Sequence, residues 1–259
     1  MGGWVRDQLN HQPSKDLDLE IFGLSREQIA GLLSPYGFSA AVGQHFPVWR
    51  QTRAGIDVAF PRAGNETGET PGADSLGRAF RLASRHRDLT LNAIGWDPIS
   101  QQLLDPYHGQ KDLEDHRLRA VCAKTFGSDP LRVLRVARLH ARLEAAVDPA
   151  LAKLCRELDL GSIPTPRLAG ELRRILSQAK QPSKAFEFLV EIDQLSVFGP
   201  VGSLHRLALD FPEHRSSEAF SLTLKVLDAA VLIAIKENLS NEAREQLMLA
   251  ALCHNFGWI

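Results

Sequence analysis

Cysteine, methionine and tyrosine are scarce in this chain of 259 residues, which holds three, two and two of them. The cysteines, Cys122, Cys155 and Cys253, are odd in number and far apart, with no paired spacing. That excludes a disulfide framework or a thiolate zinc site, and predicts reduced, buried small hydrophobes in a cytoplasmic protein. Net charge is almost absent too: 30 Lys+Arg against 31 Asp+Glu leave −1. No global positive field draws a polyanion, so a nucleic acid would have to be held by a local patch. Long hydrophobic runs are missing. The longest, Ala229 to Ile235, is far short of the ~20 residues that span a bilayer. The opening Met1-Gly2-Gly3-Trp4 has no apolar signal core, and Arg6 stands where a myristoylation signal needs Ser or Thr. The expectation is a protein that is neither membrane-bound, secreted nor fibrous.

What is present is 44% hydrophobic and 24% charged residues. That balance suits one or two globular domains of about 100–200 residues. The first hundred residues are mixed. Leu17–Phe22 and Ile56–Phe60 read as strands, and Ser25–Leu33 as a short helix with Ser25 and Gln28 forming a capping box. Ala63 to Gly77, rich in glycine and holding Pro71, reads as a mobile loop. From Asp129 the texture becomes helical: Asp129 as cap and Pro130 as first residue open a helix along which Leu131, Leu134, Ala137 and Ala141 recur. Further helices are expected over Pro149–Leu158, Thr165–Gln178 (Thr165 capping Pro166), Ser183–Ile192, Ser216–Glu237 and Asn241–Cys253. Little after Val121 reads as strand. The pattern predicts an α+β head over residues 1–121 with a small mixed or antiparallel sheet, followed by an all-helical remainder.

Three carboxylates carry the first chemical signal. Gly2-Gly3 is followed, after twelve residues, by Asp16-Leu17-Asp18-Leu19. At i and i+2 on a strand, Asp16 and Asp18 project from one face, where their mutual repulsion is relieved by a cation between them. Hard oxygen ligands favour Mg²⁺ shared with substrate phosphates. Glycines ahead of a helix let a phosphate approach the backbone closely. Asp57, in Ile56-Asp57-Val58, lies on a second strand of the same alternation, where it could join the pair around two metals or take the proton of an attacking hydroxyl. The alternative is a set of solvated strand ends.

Polar segments follow. Arg85-His86-Arg87-Asp88-Leu89-Thr90-Leu91-Asn92-Ala93 offers arginine to a triphosphate and Asp88 or Asn92 to sugar hydroxyls, unless it is merely a charged, capped helix start. Asp105-Pro106-Tyr107-His108-Gly109-Gln110-Lys111-Asp112-Leu113 is a turn-rich connector. Ser128-Asp129-Pro130-Leu131-Arg132 opens a helix on which Arg132, Arg135, Arg138 and Arg142 form one stripe. Such a stripe is by default a solvated basic face, yet Asp129 and Arg132, at i and i+3, can share a cavity.

In this order, these segments resemble the class II tRNA nucleotidyltransferase/poly(A) polymerase family, within the polymerase-β-like nucleotidyltransferase superfamily. The family pattern runs Gly-Gly-x-Val-Arg-Asp, Asp-x-Asp, Arg-Arg-Asp-Phe-Thr-x-Asn-Ala, Asp-Pro-x-x-Gly-x-x-Asp-Leu and Glu-Asp-x-x-Arg. A weaker match is Pro166-Arg167-Leu168-Ala169-Gly170-Glu171-Leu172. The resemblance covers about residues 1–200. It implies transfer of C or A from CTP and ATP to an RNA 3′ end, a tRNA before others, with no DNA or membrane partner. Asp16 and Asp18 would hold two Mg²⁺ ions, and Asp57 would be the third catalytic carboxylate. Gly2, Gly3, Arg6, Arg87, Asp88 and Asn92 would line the nucleotide. Asp129 and Arg132 would read its base, since aspartate accepts from the exocyclic amine that C and A share and that U lacks, and Arg135 and Arg138 on the same helix would line the nucleotide or RNA cleft. Residues 122–200 would form a helical nucleotide- and RNA-binding neck and body.

The sequence also departs from the pattern. The family's apolar strand before Gly-Gly has no counterpart ahead of Met1, which predicts an exposed sheet edge. His86 replaces the first arginine, and Ser128 the glutamate of the base-reading motif. Residues 201–259 resemble the start of an HD phosphohydrolase domain, but Ser221 replaces a metal-binding histidine and His254-Asn255 replaces His-Asp. With two ligands lost, no hydrolase activity is expected. Rival readings are an A-adding, CC-adding or poly(A)-tailing relative, and a catalytically silent RNA-binding remnant.

Overall fold

A computed structural model describes residues 1–14, 17–42, 48–61, 76–210 and 218–258, apart from the side chains of 40–42, 208–210 and 258. Asp16 and most of the glycine-rich stretch fall outside the described residues. Gly77, however, lies inside a helix rather than in a loop. The chain forms two compact units: Met1–Asp115 with Arg119–Phe126, and His116–Leu118 with Gly127–Ile259.

The first unit begins with α1 (Gly3–Leu9), β1 (Leu17–Glu20), α2 (Arg26–Leu33), β2 (Ser39–Val42), β3 (Val48–Gln51) and β4 (Ile56–Ala59). The strands form one sheet in the order β1-β4-β3-β2, with β1 and β4 parallel and the other neighbours antiparallel. β1 is an edge strand, and Leu19 on it is exposed. The capping box opens α2 as the sequence predicts: Ser25 Oγ accepts the Gln28 N–H, and Gln28 Oε1 accepts the Ser25 N–H. Ile29 and Leu33 of α2 then pack with Trp49, Val58 and Phe60 into a buried cluster. Registered rows of the sheet alternate in character. Leu19, Val58 and Trp49 form one row, and Asp18, Asp57 and Arg50 form the next. Because successive residues point to opposite faces, packing Val58 and Trp49 inward turns the charged row to the other face.

The unit continues through α3 (Leu76–Ser84), a 3-10 turn at Thr90–Asn92, the hairpin of β5 (Gly95–Asp97) and β6 (Gln102–Leu104), α4 (Gly109–Glu114) and α5 (Ala123–Phe126). Leu89, Leu91, Ala93 and Ile94 are almost completely buried, so the polar motif between Arg85 and Ala93 alternates with core residues.

The second unit pairs β7 (Arg117–Leu118) with β8 (Ala146–Val147), a short strand the sequence did not disclose. Its helices are α6 (Leu131–Leu143), α7 (Pro149–Glu157), α8 (Thr165–Gln178), α9 (Ser183–Glu191), α10 (Gly199–Asp210), α11 (Ala219–Lys236) and α12 (Asn241–Cys253). α6 packs against α8 and α9, and α12 against α11 and α8. Two helix starts differ from expectation. α6 begins at Leu131 because the Asp129 carboxylate accepts the Leu131 N–H from two residues back. Thr165 is the first residue of α8 and makes no side-chain cap; the preceding Pro164 turns the chain instead. α11 and α12 are largely apolar, but none of the described helices is long and apolar enough to cross a membrane.

The cysteines correct another expectation. All three are free thiols, but only Cys155, on the inward face of α7, is buried; Cys122 is partly exposed and Cys253 exposed. A hydrogen bond from the Thr125 backbone N–H lowers the Cys122 thiol to about 7, whereas burial pushes Cys155 up to about 12. Alkylation followed by peptide mass spectrometry should therefore modify Cys122 with a rate that rises through a midpoint near pH 7 and levels off above it. Cys155 should stay unmodified in the folded protein.

Candidate active site

The charged row on the sheet positions the acidic residues. Asp18 and Asp57 are Cα partners across the parallel β1–β4 ladder, so their side chains leave the sheet on the same face. Arg50 is the next residue in the row, on β3. Its Nε and Nη2 donate to Asp57 Oδ1 and Oδ2 at 2.7 and 2.6 Å, and these bonds hold the Asp57 carboxyl below the usual carboxylate range. With its side chain 63% exposed, Arg50 forms a solvent-screened pair worth about 1 kcal/mol or less, one that a divalent cation can displace.

The donor set suits a hard cation. Asp18 and Asp57 bring carboxylate oxygens to one face, and Asp16, two residues before Asp18, belongs to the undescribed Lys15–Asp16 pair. Among the described residues no three metal-binding side chains gather, so the pair Asp18 and Asp57 is what the structure itself brings together.

Next to this face lies the diglycine. Gly2 has φ +67° and ψ −131°, a conformation that favours glycine, and it sits immediately before α1. Its N–H is donated to Ile94 O at 2.9 Å, so Gly2 contributes room rather than a hydrogen-bond donor. The room is taken by Arg87: a Cβ on Gly2 would stand 2.5 Å from Arg87 Nη1. Arg87 Nη1 donates to Asn92 O at 3.3 Å and Nη2 to Glu20 Oε1 at 3.1 Å. At Gly3, by contrast, a Cβ would meet the Arg6 guanidinium only at ordinary contact distance, 3.5 Å from Nη2.

Beneath Arg87 runs a buried polar chain. Arg6 Nε and Nη2 donate to Asp7 Oδ1, and Arg6 Nη1 donates to Asn92 Oδ1. Asn92 Nδ2 in turn donates to Asp88 Oδ1, which also accepts the Leu89 N–H. Arg6, Asp7 and Asp88 are all buried. Arg6 and Asn92, expected at the nucleotide, are thus engaged in fixing the 3-10 turn at Thr90–Asn92 and Asp88 just ahead of it.

The turn-rich connector braces the same turn from behind. Asp105 accepts the Gly109 and Gln110 N–H groups, His108 adopts φ +60°, and Thr90 Oγ1 donates to Asp112 Oδ2. Arg119 Nε also donates to Asp112. A Cβ on Gly109 would lie 2.3 Å from the Thr90 carbonyl oxygen, a backbone atom that cannot swing aside. Gly109→Ala should therefore cost about 1–3 kcal/mol of stability, measured by denaturant unfolding, by pushing the 3-10 turn out of place.

In the second unit the arginine stripe is not a free basic face. Glu171 on α8 is completely buried, and three arginines converge on it: Arg138 Nε at 3.0 Å, Arg174 Nη1 at 2.6 Å and Arg135 Nε at 3.9 Å. Arg138 Nη1 donates further to Gln178 Oε1. Arg135 and Arg138, expected at the nucleotide, are in this arrangement ties between α6 and α8. Arg132 is buried as well, while Asp129 accepts from Arg167 Nη2 at 3.0 Å and caps α6. The pairing joins Asp129 to an arginine of the weakest sequence match. At the end of the chain, Asn255 is buried and its Nδ2 donates to Ala219 O and Thr223 Oγ1; Ser221 Oγ donates to Glu218 O. Where a metal-binding pattern has aspartate, Asn255 ties the end of α12 to α11, and where it has histidine, Ser221 bonds locally within the first turn of α11.

Sequence reasoning passed over Glu20 and Arg50. Glu20 was legible, since it continues the i, i+2 alternation of Asp16 and Asp18. Arg50 was not, because only the β3–β4 register puts it opposite Asp57.

Comparison with known proteins bears on the family and the fold. Residues 1–119 match the family model of the poly A polymerase head domain. The "Multifunctional CCA protein" of Pseudomonas fluorescens (strain Pf0-1) is 34% identical over 244 residues, covering 90% of this chain and 58% of that protein. The protein of the same name from Mannheimia succiniciproducens is 31% identical over 273 residues, covering 99% of this chain and 62% of its own length. The chain therefore spans about three-fifths of the curated relatives it matches. A solved tRNA nucleotidyltransferase, complexed with a primer tRNA and an incoming ATP analog, shares the fold with a TM-score of 0.61 at 21% identity, over 99% of this chain and 78% of that one. In sequence and in fold, the chain belongs to the CCA-adding enzyme/poly(A) polymerase family.

Proposed function

We propose that this protein is a template-independent nucleotidyltransferase that adds C and A from CTP and ATP to the 3′ end of tRNA in the cytoplasm. The observation that carries the reading is the pairing of Asp18 with Asp57 on one face of the sheet, beside the glycine-spaced guanidinium of Arg87. Catalysis is assigned to residues 1–121 and RNA and nucleotide handling to residues 122–200. Residues 201–259 are read as an HD-like remnant without hydrolase chemistry.

In this reading Asp18, with Asp16 and Asp57, would hold two Mg²⁺ ions. Bound there, Mg²⁺ would supply Lewis-acid stabilisation of the attacking and leaving oxygens of an in-line displacement. The RNA 3′-hydroxyl attacks the α-phosphorus; a new phosphodiester forms, the α–β bridge breaks, and pyrophosphate leaves with its electron pair. Asp57, whose carboxyl Arg50 holds below the usual carboxylate range, would take the hydroxyl proton. Arg87 contacts the phosphates and Asp88 the ribose. Asp129 and Arg132 are assigned to base selection: Asp129 accepts from the amine of C or A and Arg132 donates to the acceptor beside it, worth about 1–3 kcal/mol against the wrong base.

Purified protein should be incubated with tRNA transcripts ending before C, CC or CCA, with labelled CTP and ATP separately and together. Incorporation of both bases in the order C, C, A supports the reading. Incorporation of A alone, of C alone, or of long A tails reassigns the specificity within the family. No incorporation with any transcript overturns it in favour of an RNA-binding remnant.

A further inference from the structure

The partner of Arg87 has no part in the reaction just described. Glu20 lies on β1 two residues beyond Asp18, hence on the same face of the strand, and its side chain is only 10% exposed. One carboxylate oxygen, Oε1, accepts from Arg87 Nη2 at 3.1 Å; the other, Oε2, is buried without a hydrogen-bond partner among the described residues. A carboxylate that is nine-tenths buried with one oxygen unsatisfied is costly, and a fold keeps it only where the remaining contact matters. That contact is one of three that fix the guanidinium, since Met1 Sδ also accepts from Nη2. Asn92 O holds Nη1 and Glu20 holds Nη2, while the missing side chain of Gly2 leaves the space in which Nη1 lies. Two acceptors on separate nitrogens set both the position and the plane of a group that would otherwise turn about its long side chain.

We propose that Glu20 is a positioning residue that holds Arg87 ready for the triphosphate of the incoming nucleotide. The proposal rests on the reading of Arg87 as a phosphate ligand. Glu20 meets no substrate; it sets the geometry of the residue that does, and lowers the entropy lost when Arg87 orders on the ligand. It also balances the cation beside the diglycine before the nucleotide arrives.

The test compares Glu20→Leu, which removes the acceptor at similar volume, with Glu20→Gln, which keeps an acceptor oxygen for Nη2 without the charge. Incorporation kinetics should show KM for both ATP and CTP rising about tenfold in Glu20→Leu, kcat changing less than about threefold, and Glu20→Gln recovering most of the loss. Combining Glu20→Leu with Arg87→Ala should add nothing to Arg87→Ala alone, because the carboxylate acts only through the guanidinium. A fall in kcat at unchanged KM, equal damage from Leu and Gln, or additive effects in the double variant would each overturn the assignment. Nucleotide affinity measured by equilibrium titration of each variant separates the two readings. If the parent protein binds ATP but incorporates nothing, the proposed function fails while the titration still reads Glu20. If Glu20→Leu proves insoluble, the Gln variant and a Gly2→Ala variant, which displaces Arg87 from the opposite side, decide the question. Both should raise the nucleotide Kd, Gln slightly and Ala about tenfold. An unchanged Kd in Gly2→Ala shows that the held position of Arg87 is immaterial and sinks the proposal.

Discussion

Asp18→Asn should lower nucleotide incorporation by about three orders of magnitude, equivalent to roughly 4 kcal/mol of barrier, with little change in the melting temperature. The substitution is isosteric and sits on an edge strand whose ladder is made by backbone groups, so the fold has little to lose. What goes is one of two carboxylates that the β1–β4 register brings to one face, and with it, on the proposed reading, charge that would hold a divalent ion against a triphosphate. Rates measured across a Mg²⁺ titration check the cause. If the variant recovers full activity at high Mg²⁺, the loss is one of metal affinity; if it keeps near-parental activity at all concentrations, Asp18 is not a ligand and the transferase reading loses its centre. Asp57→Asn is expected to be similarly severe, since it removes the other carboxylate of that face.

Glu171→Leu carries the largest expected cost in stability, about 3–5 kcal/mol for the second unit. The carboxylate is fully buried, and its removal leaves Arg138, only 15% exposed, with a cation that water cannot reach well. Arg135 and Arg174 are 39% and 54% exposed, so their share is screened and small. A drop in melting temperature on the order of 10 °C follows, at about 2–4 °C per kcal/mol for a domain of this size. Replacing both partners, Glu171→Leu with Arg138→Met, should recover much of it, because an apolar pair needs no counter-charge. Melting unchanged in the single variant would mean the cluster does not hold α6 to α8. The same cluster bears on RNA binding: Arg138→Gln alone would confound lost contact with lost stability, so a salt-dependence experiment is better read at Arg142.

Legibility followed the range of the interactions concerned. The capping box at Ser25 and Gln28, the α12 boundaries and the alternation around Asp18 depend on residues within a few positions of one another, and all could be read directly. The strand at Ala146–Val147 could not, because its partner is Arg117–Leu118 and two residues carry no period of their own. Arg135 and Arg138 looked like a basic face because helical spacing shows which residues share a side but not what stands opposite. Glu171, a single acidic residue on another helix, changes their meaning.

What the sequence determined by itself was the inventory: which carboxylates alternate, where glycine frees the backbone, where helices begin, and the ordered motifs that mark the family. These are properties of composition and short spacing, fixed before the chain folds. The tertiary structure alone decided who meets whom. Strand register set Asp57 beside Asp18 and Arg50 beside Asp57, helix packing turned two arginines toward a buried glutamate, and the fold of the diglycine placed Arg87 between Asn92 and Glu20. Register and packing angle are settled by burying the apolar side of each element, and the charged side is carried along to whatever partner that burial brings.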